Sequence, residues 1–179
     1  MRKFIATISF LILIAIAPAL CFAAGSYFKV TSDVIKHNPL VEKVFQRVMT
    51  LTFVADDAAG TIPDLSLSDA GWTDGTYSGT FKTRLHSWYG FKVIIDGNHA
   101  GTEPTENSEL YIYQYGFDLL GAGGVDQVDN SAEREVYFSD GTNKCKQPFV
   151  NTITVTVTQQ AVVTNSATGT IVIIFTSGE

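Results

Sequence analysis

The chain has 179 residues, of which 45% are hydrophobic and 17% are charged, and its net charge at pH 7 is −6. This length suits one domain with a sizeable core and leaves little room for two. An acidic chain without clustered Lys and Arg lacks the positive surface that nucleic acid requires, and anionic lipid would repel it. We therefore expect no nucleic-acid partner, and the negative charge favours simple solubility.

The first residues predict a secretory signal peptide over residues 1–23. Arg2 and Lys3 precede an apolar run over residues 4–20, and small residues follow up to Ala23. A basic start, an apolar middle and a small-residue cleavage site are the three parts of such a leader. We expect cleavage after Ala23 and a secreted protein, extracellular or periplasmic.

Two alternatives to a cleaved leader are compatible with parts of this sequence. The apolar run approaches the ~17 residues that span a bilayer, but Pro18 near its end favours cleavage over an uncleaved anchor. A lipoprotein attached through Cys21 is disfavoured by Leu20, because a small residue is preferred before such a cysteine. Cleavage would remove two basic and no acidic residues, shifting the net charge from −6 to −8. We expect no membrane partner after cleavage.

Residues 24–43 are mixed in character and predict a short N-terminal arm, irregular or partly helical. Ser32 and Asp33 are residue types that cap a helix, and Pro39 would end it. The domain proper is expected over residues 44–179.

The pattern from residue 44 onward is that of β-strands. Phe45, Met49, Leu51 and Phe53 alternate with polar residues, which is the period of a strand with one buried face, although Arg47 and Val48 interrupt the pattern. Asp-Gly pairs, which tolerate the positive φ of tight turns, separate later segments. Further strands are expected over residues 80–86, 89–96, 110–120, 136–138 and 151–158.

The last strand, residues 170–175, has no polar break from Ile171 to Phe175. Such a run predicts a central strand that is covered on both faces, whereas at an edge it would pair with other chains. About eight short strands with almost no helix predict an all-β fold, a single antiparallel β-sandwich of the jelly-roll or immunoglobulin-like kind.

Residues with catalytic chemistry are scattered along the chain. The three histidines lack paired metal spacing, and no nucleophile elbow or phosphate-binding loop occurs. Cys145 stands alone once the leader is removed, so it would remain a thiol or pair between chains. We expect no enzyme activity, no cofactor and no metal. A calcium site at clustered aspartates and a hydrolase using Asp96, Glu103 and Glu106 stay open as lesser alternatives.

An aromatic set is the best candidate for an interaction surface. Tyr111, Tyr113 and Tyr115 are spaced by two and would project from one face of a strand, with Trp88 elsewhere in the set. If Ile112 points inward, the tyrosines form an exposed stripe suited to a sugar ring or a protein partner. If the tyrosines point inward, they are core residues. A core position or a subunit interface is the favoured interpretation over a carbohydrate-binding surface.

Three stretches stand out in their order and spacing: residues 51–64, then residues 90–96 with 102–107 and 117–124, and finally residues 165–175. Together they resemble a family of small β-rich proteins of tailed bacteriophages and prophages. The resemblance implies a virion-associated role without a defined activity or catalytic residues. Phage structural proteins normally carry no export signal, so the leader predicts a related domain reused on a bacterial surface or in an exported assembly.

The leading functional prediction is an exported, non-enzymatic structural or interaction module that associates with itself or joins a larger extracellular or virion-like assembly. The alternative is a carbohydrate-binding or adhesin module that uses the tyrosines, with glycans as partners. Sheet edges and faces would carry the contact, with Phe175 as its hydrophobic anchor. The predicted interaction surface comprises Tyr111, Tyr113, Tyr115, Trp88 and Phe175.

Overall fold

The computed structural model describes residues 25–37, 45–55, 61–96, 108–128, 133–158 and 168–177. These ranges are all-β and contain no helix. The predicted leader, residues 1–23, lies outside them. Twelve strands occur in the described ranges: β1 (Tyr27–His37), β2 (Phe45–Val54), β3 (Leu65–Ser68), β4 (Gly71–Thr73), β5 (Ser78–Gly79), β6 (Trp88–Asp96), β7 (Glu109–Gln114), β8 (Phe117–Asp118), β9 (Arg134–Tyr137), β10 (Gln147–Pro148), β11 (Ile153–Thr158) and β12 (Thr168–Ser177).

The strands form two antiparallel sheets of six strands each. Sheet A has the order β1-β2-β12-β6, and both β9 and β10 pair with β6. Sheet B has the order β5-β4-β3-β11-β7-β8. Buried side chains from both sheets belong to one hydrophobic core. The all-β prediction is confirmed, in a sandwich-like arrangement of two sheets.

Alternation along the strands supplies this core. In β2, Met49, Leu51 and Phe53 are fully buried, and the residues between them are half-buried. Ile153 and Val155 of β11 follow the same rule. Each fully buried side chain of this kind stabilises the fold by about 1.5–3 kcal/mol relative to an exposed position. The period-two pattern of the sequence therefore identifies the inward faces of these strands. It is wrong for Phe45 at the start of β2, which is 44% exposed.

The last strand, β12, is central in sheet A because it pairs with β2 on one side and β6 on the other. The prediction of a central strand is confirmed. Ile171, Ile173 and Phe175 are fully buried, whereas Val172 and Ile174 are only half-buried. The expectation that both faces are covered is wrong, because these two side chains lie on the outward face of sheet A.

The prediction of an irregular or partly helical arm is wrong over residues 27–37. This segment is the 11-residue strand β1, which pairs with β2 along its length. Asp33 does not cap a helix, because its carboxylate binds the guanidinium of Arg47 on the neighbouring strand. The β-branched residues Val30, Val34 and Ile35 also favour the extended conformation.

The strand count exceeds the expected eight because several segments are short or divided. The predicted strand 110–120 breaks at Tyr115-Gly116, where φ values of 53° and 80° make a two-residue turn between β7 and β8. The predicted strand 80–86 is irregular, since the Asp69 carboxylate accepts the backbone N–H groups of Leu85 and His86 at 2.7 and 2.9 Å.

Candidate interaction surfaces

Tyr111 and Tyr113 lie half-buried on the outward face of sheet B, while Leu110 and Ile112 between and beside them are fully buried in the core. The favoured interpretation assigned these tyrosines to the core or to a subunit interface. The core assignment is therefore wrong, and a subunit interface stays a prediction. Their rings stack with centroids 5.4 Å apart and an interplanar angle of 18°. Tyr111 and Tyr113 are therefore the two residues of the predicted tyrosine stripe that lie on β7.

A carboxylate orients the first ring of this pair. The Tyr111 hydroxyl donates to Glu109 Oε2 at 2.8 Å, and Thr158 Oγ1 donates to the same oxygen at 3.1 Å. This hydrogen bond, with burial as the second cause, raises the pKa of Tyr111 to about 12. Burial and the nearby Asp118 carboxylate also raise the pKa of Tyr113. Both phenols therefore stay neutral hydrogen-bonding groups at physiological pH.

Tyr115 does not continue the stripe. It lies in the turn after β7 with φ 53°, and it is 65% exposed. Positive φ is uncommon for a bulky residue and takes Tyr115 out of the alternating pattern of the strand. The prediction that three tyrosines share one strand face is corrected to two.

The other two predicted residues are packed inside the protein to different degrees. Phe175 is fully buried and meets the ring of Phe149 edge-on at 5.0 Å. It anchors the core, so the prediction that it anchors an external contact is wrong. Trp88 is half-buried, packs against the core and lies 5.9 Å from the Arg47 guanidinium.

Sheet B presents a row of hydroxyl groups beside the tyrosines. The strand register places Tyr113 opposite Thr154, Thr154 opposite Ser66, and Ser66 opposite Thr73. Ser78 of β5 continues the row beyond Thr73. Partner residues in such a register point to the same side of a sheet. The row is therefore one continuous polar surface across five strands.

The unpaired edge of sheet A is the second candidate surface. Within the described chain, β1 pairs with β2 alone and ends the sheet. Its first half is covered: Phe28 N–H donates to Asp74 Oδ2 at 2.9 Å, and Tyr27 meets Tyr77 edge-on at 5.9 Å. A register shift at Thr31 follows. Charged partners and bulges are the usual protection of an edge strand.

The second half of β1, residues 32–37, is more open. Val34 and Ile35 are 44% and 42% exposed, on opposite faces of the strand. Phe45, opposite His37, is exposed to a similar extent. Exposed apolar side chains beside an unpaired strand edge are typical of a contact with another chain.

A buried ion pair that the sequence pattern concealed holds this edge strand. Arg47 is fully buried and donates through Nε and Nη2 to the Asp33 carboxylate at 2.8 and 2.7 Å. Its Nη1 donates to the carbonyl oxygen of Arg84 at 3.1 Å, and its guanidinium lies 4.9 Å from the Phe81 ring. Arg47 thus occupies an inward position of β2, where an apolar residue was expected.

The described residues give little support to the metal-binding and catalytic alternatives. No cluster of three metal-binding side chains occurs among the described residues. Of the hydrolase candidates, Glu103 and Glu106 lie outside those residues. Cys145, half-buried, forms no disulfide within the described chain and accepts a hydrogen bond from the Gln147 amide at 3.1 Å.

No protein-family model, no curated protein and no solved structure matches this chain. The resemblance to the phage family therefore stays a prediction. The described residues include no helix of the length and hydrophobicity that a membrane crossing requires.

Proposed function

We propose that this chain is an exported, non-enzymatic interaction module, built as a β-sandwich, that associates with a second copy of itself and in that way contributes to a larger extracellular or virion-like assembly. The observation that carries the proposal is the half-open edge of β1. Residues 32–37 have a strand on one side within the described chain and bear two exposed apolar side chains. Backbone N–H and C=O groups at such an edge are a template for another strand.

A second copy suits this edge because residues 32–37 can pair antiparallel with the same residues of the copy while inward and outward faces stay matched. Ser32, Val34 and Lys36 point to the outward face of sheet A, and the residues between them point inward. In an antiparallel pair related by a two-fold axis, the faces match when residue numbers of opposed partners sum to an even value. The registers centred on Val34 and on Ile35 both satisfy this condition. Each places an exposed apolar side chain against its own copy.

The size of the edge sets the expected strength. Six residues extend over about 20 Å, which is small beside the interfaces of stable dimers. The open half is also flanked by the covered half, which limits pairing to one short segment. We expect a reversible dimer whose population rises with protein concentration, and a continuous sheet across the two copies.

Light scattering coupled to gel filtration tests the proposal. The mature chain should shift from monomer to dimer mass as its concentration rises. Val34→Lys should keep it monomeric, because the new charge would face its own copy in one allowed register and Lys36 of the copy in the other. Val150→Lys is the matched control, since Val150 is 53% exposed outside β1, and it should dimerise normally. A monomer at all concentrations, or equal loss in both variants, contradicts the proposal.

A further inference from the structure

We infer that the outward face of sheet B binds a neutral saccharide, at a site separate from the β1 edge. The outward-facing side chains of this sheet form its hydroxyl face. They are Ser66, Ser68, Thr73, Ser78, Glu109, Tyr111, Tyr113, Asp118, Thr154, Thr156 and Thr158. Asp64 adjoins them through a 2.8 Å hydrogen bond from Thr156.

The chemistry of the hydroxyl face matches that of a sugar. Ser, Thr and Tyr hydroxyls both donate and accept hydrogen bonds, as sugar hydroxyls do. The stacked rings of Tyr111 and Tyr113 offer the apolar surface on which the C–H side of a pyranose packs. Both tyrosines belong to β7, whose register fixes their position beside Thr154 and Thr156. Aromatic surface and hydroxyl groups are therefore presented together on a rigid sheet.

A shallow cleft at the far end of this face adds depth to the site. It has a volume of about 510 Å³ and is lined by Ser66, Ser68, Trp72, Thr73, Ser78 and Thr80. Its floor is backbone, because Gly71 sits so close to the Gly79 carbonyl oxygen that a Cβ atom there would lie only 2.0 Å from it. The volume is in the range of small-molecule sites. The six strands of sheet B, from β5 at one edge to β8 at the other, carry the cleft and the tyrosines on one surface. This surface is about 24 Å from end to end at a strand spacing of 4.8 Å.

Charge selects the class of saccharide. The strand residues of the hydroxyl face include no Lys or Arg, and the carboxylates of Glu109, Asp118 and Asp64 border it. Anionic polymers such as uronic-acid or sulfated glycans would be repelled, and so would nucleic acid. A neutral chain avoids this repulsion, and its hydroxyls donate to the bordering carboxylates. The occupant that fits is therefore a neutral polysaccharide or oligosaccharide.

Affinity electrophoresis of the whole mature chain in gels containing one polymer each tests this inference. Dextran and laminarin serve as neutral probes, with alginate and polygalacturonate as anionic ones. We expect retardation by at least one neutral polymer and by neither anionic polymer. Retardation by no neutral polymer, or equal retardation by an anionic one, overturns the inference.

Two variants locate the site on the hydroxyl face. Tyr111→Ala with Tyr113→Ala should weaken binding roughly tenfold through the loss of stacking. Ser78→Ala removes one hydroxyl that lines the cleft, and it should weaken binding several-fold while keeping the melting temperature. The control is Tyr137→Ala, since Tyr137 is a half-buried tyrosine on the outward face of sheet A. Native binding in both test variants, or equal loss in the control, overturns the assignment.

Saccharide binding and the proposed self-association can be tested separately, because they use different sheets. The tyrosine variants change sheet B and should leave the concentration-dependent dimer intact. Val34→Lys changes the β1 edge of sheet A and should leave saccharide binding unchanged. A loss of both properties in either variant would show that the two surfaces are not separate and would contradict the inference as stated.

Discussion

Removing the Asp33 carboxylate leaves a fully buried guanidinium without its partner. In the native structure Arg47 has three hydrogen bonds, two to Asp33 and one to the Arg84 carbonyl oxygen. Asp33→Ala deletes two of them and the neutralising charge. Because Arg47 is fully buried, water cannot replace what is lost. Breaking a buried ion pair from one side typically costs about 3–5 kcal/mol of unfolding free energy.

The opposite deletion should cost less. Arg47→Met keeps an apolar stem in the core and leaves the Asp33 carboxylate, whose side chain is 18% exposed and therefore still reaches water. The Arg84 carbonyl oxygen also loses its donor. We expect a loss of about 1–3 kcal/mol. The inequality between the two variants is the specific prediction, because it follows from their unequal burial.

Chemical denaturation and thermal melting measure both variants. For a domain of this size each kcal/mol shifts the melting temperature by about 2–4 °C, so Asp33→Ala should lower it by roughly 6–20 °C. Ser32→Ala, on the outward face of the same strand, is the control and should change little. A loss below about 1 kcal/mol for Asp33→Ala, or a larger loss for Arg47→Met, would refute the reasoning.

Two further predictions concern sheet B. Gly71→Ala should destabilise the fold by at least about 2 kcal/mol, since φ is +139° and the new Cβ would lie 2.0 Å from the Gly79 carbonyl oxygen. Gly75→Ala has open space around it and should cost about 1 kcal/mol. Equal losses of unfolding free energy in the two variants would contradict this explanation. Because folding raises the pKa of Tyr111, this residue should contribute fully to the free energy of unfolding below pH 10. That contribution should be lost as the pH rises to about 12. Phenolate absorbance, compared with Tyr111→Phe, should show that Glu109→Gln lowers this pKa towards its ordinary value of 10, and an unchanged titration would exclude the hydrogen bond as its cause.

Local alternation made much of the fold predictable. The strands around Leu51 and Val155 follow the period-two rule, because one face of each strand meets a common core. The central position of β12 was also predicted from its apolar run, although the outward face of this strand is only half-buried. The predictions that were wrong concern residues whose partners lie on other strands. Arg47 looked like an interruption of β2, although its partner Asp33 lies on the neighbouring strand, and a sequence pattern does not reveal such a pair.

The candidate surfaces were predictable only in part. Spacing placed Tyr111 and Tyr113 on one face, but it could not decide which face was outward. Tyr115 was misplaced because the turn at Tyr115-Gly116 lacks the usual Asn-Gly or Asp-Gly signal. Phe175 was hydrophobic enough for an anchor, yet two neighbouring strands and the core cover it. The hydroxyl row needs the register of five strands, which no local pattern supplies.

Disulfide trapping at the edge of β1 tests the proposed self-association most directly. In a Cys145→Ser background, Val34→Cys and Ile35→Cys each place a thiol opposite its own copy in one of the two allowed registers, within the distance of about 7 Å that a disulfide requires. We predict that mild oxidation links at least one of these variants into a covalent dimer, while Val150→Cys, an exposed position outside β1, stays monomeric. Equal cross-linking of all three variants, or of none, would contradict pairing through this strand.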